Sequence, residues 1–169
     1  AEWGVDDRQG HGTGLAGVAL YGDLIEPLDG NSPVTISHRL ESVKLLQADR
    51  SDSSEPYGAL TLRAVAYPEI STPFKQRIFS MAVTSIDDRD RGRPSAWSSA
   101  VDMLTSDSLG QRANPRLMIV SAGNAKESGW VEYPNSNITD GIHDPGQSWN
   151  ALCVGAYTLK DRIVPPYPN

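Results

Sequence analysis

The 169-residue chain has a single cysteine, Cys153, so no internal disulfide framework can hold it together. Its three histidines, His11, His38 and His143, are far apart and share no ligand spacing with that cysteine, which argues against a zinc site. Basic residues are scattered and the formal charge is −6. Phosphate neutralisation needs a basic face, so nucleic acid is not expected as the main partner. The longest apolar runs are only a few residues, too short for a membrane-spanning helix. Ala1-Glu2-Trp3-Gly4 has neither a basic start nor an apolar stretch, so no signal peptide opens the chain. Together with the single cysteine this slightly favours the cytoplasm. The chain has no initiator Met and ends in Pro-Tyr-Pro-Asn, so both ends read as cut from something longer. One domain, or a piece of one, is expected.

What is present suffices for a core. Apolar residues make up 38% of the chain, and a domain of this length can bury about 70% of its unfolded surface. A helix of small residues is expected from His11 to Tyr21. Pro27, Gly30, Asn31 and Pro33 point to a loop or hairpin over 26–37. Ser42 to Leu46 is a short strand candidate, and 49–56 a charged, Ser-rich loop. Gly58 to Ala66 has helical spacing that Pro68 is expected to stop. Ile78 to Val83 reads as a strand and 87–94 as a polar loop. Ser95 to Leu104 reads as a helix, with Pro94 and Ser95 at its start and Trp97, Val101 and Leu104 on one face. Leu117 to Val120 is an apolar strand, 125–148 a loop, and Ala151 to Tyr157 the last strand. Cys153 lies in that last apolar run and reads as a small buried hydrophobe. Helices alternating with near-continuous apolar strands imply an α/β fold: a parallel sheet with helices on both faces. Functional residues in such sheets gather where strands end and loops begin.

Gly12-x-Gly14-x-x-Gly17 matches the dinucleotide-binding expression. That fingerprint follows an apolar strand, and Val5-Asp6-Asp7-Arg8-Gln9 is no such strand. The same segment, read as His11-Gly12-Thr13-x-x-Ala16-Gly17, resembles the histidine motif of the subtilisin-like serine proteases, the subtilases. Ser121-Ala122-Gly123-Asn124, after an apolar strand, resembles that family's Ala-Gly-Asn segment. Ser42 to Leu46 is similar to its Val-Lys-Val-Leu strand, Ile78 to Thr84 to its substrate-binding strand, and Trp149 to Ala156 to its late Ile-Ala-Val-Gly-Ala strand.

The resemblance implies an incomplete three-layer sandwich in which His11 begins a helix through the heart of the sheet. His11 would be the general base. The Asn124 amide would donate a hydrogen bond in the oxyanion hole. Ala82, Val83 and Thr84, where the family usually has Ser-Leu-Gly, would bind substrate together with Ala122 and Gly123. Tyr133-Pro134 falls where the family has a Tyr-Pro pair beside the first specificity pocket, and a cis bond is expected there. Within that resemblance, Tyr21-Gly22-Asp23, the Pro94-Ser95-Ala96-Trp97-Ser98 helix start and the long 125–148 loop point to a divergent bacterial branch, not a secreted degradative enzyme. The partner implied is a peptide or protein substrate. The resemblance allows calcium, for which no ligand set is apparent, and no other cofactor is expected.

Two parts of the family's machinery have no counterpart. Its chain order is Asp, His, Ser. Asp6 and Asp7 stand too close to His11, in a polar loop, and read as rim residues. No Gly-Thr-Ser occurs in 1–169. The expectation is therefore a partial peptidase domain, cut after the catalytic Asp and before the nucleophile, and inactive alone. The alternative is a non-catalytic subtilase-like module that binds extended peptides.

Overall fold

A computed structural model describes residues 6–30, 33–46, 55–85, 93–110, 112–125 and 127–157. Three parallel strands form one sheet in the order β1-β2-β3: β1 is Ile78–Met81, β2 Leu117–Ser121 and β3 Leu152–Val154. Ile78 pairs with Leu117, and Ile119 with Leu152. The expected parallel α/β architecture is thus present, with β3 shorter than the apolar run around it. The charged loops expected at 49–56 and 87–94 lie mostly outside the described residues.

The core forms on one face of the sheet. Helix α3 (Tyr57–Ser71) and helix α4 (Ala96–Thr105) pack against each other there. Val65, Trp97, Val101, Leu104, Met118 and Val120 are its buried centre, with Phe79, Met81 and Cys153 packed around them. Helices on both faces are found on one face only among the described residues: Ile78, Leu117, Leu152 and Val154 remain exposed on the other.

Helix α4 begins where Pro94 and Ser95 place it. Ser95 and Ser98 form a reciprocal capping box, each side chain bonding the other's backbone N–H. The α3–α4 contact is close because of Gly58, where a Cβ would lie 3.1 Å from that of Ala100. Trp97 Nε1 donates to Thr61 Oγ1 at 2.8 Å, and the Trp97 ring lies 4.8 Å from that of Tyr57. Helix α3 does not stop before Pro68 as expected; it continues to Ser71. A proline removes one helical donor, but here the last turn closes around it. The Thr72 N–H donates to the Pro68 carbonyl at 3.0 Å, and Ser71 Oγ to the Tyr67 carbonyl at 2.9 Å.

The N-terminal third is less tightly bound. Helix α1 (His11–Tyr21) forms as expected, but none of its residues is buried, so the expected passage through the heart of the sheet is not found. Its Gly-rich composition weakens it, since each interior glycine costs about 1 kcal/mol relative to Ala. A short helix α2 (Ile25–Asp29) occupies part of the expected loop. Ser42 to Leu46 joins no strand ladder among the described residues. An open, largely apolar cavity of about 860 Å³ separates it from β1, lined by Leu40, Val43 and Leu45 on one side and Val65, Phe79 and Met81 on the other. A strand needs a backbone partner, and the cavity stands where one would lie. Glu41 crosses this gap at one end, accepting from Arg77 Nε at 2.6 Å and Lys75 Nζ at 2.7 Å.

Candidate active site

His11 is the first residue of α1 and is exposed. Its position is set by Asp7. That carboxylate accepts from the Gly10 N–H at 3.0 Å, the Thr13 N–H at 2.7 Å and Thr13 Oγ1 at 2.8 Å. The two N–H groups are donors that the first helical turn leaves without an internal partner. The Thr13 bonds hold the Asp7 carboxyl below its ordinary range. Asp7 is therefore not merely a rim residue: it fixes where the helix starts. The signal for it is an acidic side chain just before a helix N-terminus. Asp6 pairs with Arg8 at 2.7 Å. Residues 6–10 form no strand, and Gly12, Gly14 and Gly17 all lie inside α1, so the dinucleotide-binding context is missing.

A second group gathers at the carboxyl ends of the strands. Ala82, Val83 and Thr84 prolong β1 beyond its ladder and are half-buried. Ala122 prolongs β2. Its N–H donates to the Val154 carbonyl at 2.9 Å, and its carbonyl accepts from the His143 N–H at 2.9 Å. Ser85 and Asp144 exchange both backbone hydrogen bonds, at 2.9 and 3.2 Å. Residues 143–144 therefore tie the continuation of β1 to that of β2. Gly123 has φ 99°, and a Cβ there would collide with the His143 ring. Glycine is required on both counts. Asn124 follows and is exposed.

Helix α4 holds the 142–150 segment in place. Ser95 Oγ donates to Asp144 Oδ1 at 2.5 Å. Ser148 Oγ and the Asn150 N–H donate to Asp102 Oδ1 at 2.7 and 2.8 Å. Gln147 Nε2 donates to the Ile142 carbonyl at 3.3 Å. Pro145 is fully buried. The Tyr133–Pro134 bond is cis as expected, and so is Asp144–Pro145. The contacts with Ser85 and Ala122 are made by Asp144 and His143, whereas Tyr133 is 72% exposed in a turn between two short helices. Sequence reasoning missed this role of 143–144, because it depends on three segments meeting.

Cys153 is half-buried, and burial pushes its thiol up, as suits a packing residue. His38 Nε2 donates to the Ala19 carbonyl at 2.7 Å and serves α1. No three His, Cys, Asp or Glu side chains group as a metal site among the described residues. No hydrogen bond joins His11 to Asn124; each stands at the end of its own element.

The sequence model described as "Subtilase family" matches residues 2–165, nearly the whole chain. The chain belongs to the subtilase family. The family is one of serine proteases, and the parallel α/β sheet is consistent with an incomplete domain of this subtilase type. No curated protein and no solved structure matches the chain significantly.

Proposed function

We propose that this chain carries the general-base and oxyanion side of a subtilase active site, with the nucleophilic serine and orienting aspartate supplied from outside 1–169. An extended peptide lies along Ala82–Thr84 and Ala122–Gly123, using backbone hydrogen bonds for affinity. The serine hydroxyl attacks the scissile carbonyl while His11 takes its proton, and His11 then returns that proton to the leaving amine. Charge developing on the carbonyl oxygen is met by the Asn124 side-chain amide. Support comes above all from the position of Gly123-Asn124 directly after β2, beside the half-buried continuation of β1. This is the end of a parallel sheet where ligands bind.

Labelling with a serine-directed fluorophosphonate tests the division of the site. The 169 residues alone should hydrolyse no peptide and take up no label. Full-length protein should be labelled at a serine downstream of Asn169. Stoichiometric labelling of a serine within 1–169 would overturn the assignment. Peptide binding by the full-length protein with no labelling would favour the non-catalytic peptide-binding module.

A further inference from the structure

We propose that His143 is a specificity-determining residue, placed to favour an acidic side chain on the substrate residue whose carbonyl is attacked. The inference rests on the proposed protease reading and deepens it. His143 donates its N–H to the Ala122 carbonyl at 2.9 Å, and its neighbour Asp144 is bridged to Ser85. Residues 143–144 thus join the continuations of β1 and β2, the two segments proposed to bind substrate. The imidazole lies against the Gly123 backbone, one residue before Asn124. A Cβ at Gly123 would come within 2.7 Å of His143 Cβ, so the glycine leaves the room this ring occupies.

The side-chain chemistry of residues 143 and 144 differs. The Asp144 carboxylate accepts from Ser95 Oγ, on the helix side of the segment. The His143 ring makes no hydrogen bond among the described residues. An imidazole N–H next to a bound side chain donates to a carboxylate, and does so most strongly when protonated. The polar ties of Asp144, Ser148 and Asn150 to α4 fix the backbone that carries the ring, so the preference is built in before substrate arrives.

The test uses the full-length protein and three peptides that differ only at this substrate residue, which is Glu, Gln or Leu. The expected kcat/KM is about 10- to 100-fold higher for Glu than for Gln, the range of a hydrogen bond to a charged group. In His143→Ala the ratio of Glu to Gln should fall to near one; in His143→Gln, which keeps a donor, it should fall only in part. Wild-type protein that prefers Leu or Gln over Glu would overturn the proposal without recourse to any variant. So would an unchanged Glu preference in His143→Ala. Failure to cleave any of the three peptides, or longer ones, would overturn the protease reading itself and this inference with it.

Discussion

The Asp7 carboxylate uses its acceptor capacity on the first turn of α1, and so it determines where His11 stands. Asp7→Ala should speed amide exchange at Gly10 and Thr13 and loosen the whole of the weakly packed α1, whereas Asp7→Asn, which retains an acceptor, should restore part of the protection. Hydrogen exchange read residue by residue checks this. Gly123 is constrained twice, by its φ and by the His143 ring. Gly123→Ala should destabilise the protein by more than about 1 kcal/mol. Pairing it with His143→Ala should recover only the part due to ring contact. Denaturant titration of the two single variants and the double variant separates the two contributions.

Helix α4 was the most readable element. Its Pro94–Ser95 start and the 3.6-residue spacing of Trp97, Val101 and Leu104 are local signals, and the capping box and buried face follow from them. Strand β2 was readable for the same reason, being a short apolar run. Met118, fully buried in this strand, should cost about 2–5 kcal/mol when changed to Ala, measured by equilibrium unfolding. Other features rest on information that no local window contains. Pro68 ends a helix in isolation, yet the side chains of Ser71 and Thr72 close the turn around it. Ser42 to Leu46 has the composition of a strand, but pairing depends on a neighbour that must be adjacent in space. The two motifs holding His11 and Asn124 were legible because each sits where an element begins or ends. The part of His143 and Asp144 was not, because it exists only where the ends of β1 and β2 meet a distant loop.

Over the whole molecule, the described sheet has three strands, one covered face and one exposed apolar face. Its cavity-side edge is joined to the 38–46 segment through Glu41, whose carboxyl is lowered from an ordinary 4.5 to about 2, chiefly by the hydrogen bond from Arg77 and then that from Lys75. A carboxyl held low in the folded state stabilises it fully above the ordinary value, and that contribution is lost as pH falls through about 2. Asp7 and Asp107 are held low as well, by backbone and side-chain donors, and act in the same direction. Stability should therefore decline on acidification below about pH 4.5, and Glu41→Gln should flatten part of that decline. Denaturation midpoints collected across this window check the sign.

The proposed mechanism for the complete protein turns on Asn124 donating to charge that exists only in the transition state. Steady-state kinetics of full-length Asn124→Ala against wild type tests it most directly. The expected result is a fall in kcat of about 10²–10³ with KM little changed, because the lost donor acts on the transition state and not on the bound peptide. A kcat that survives the substitution would contradict it.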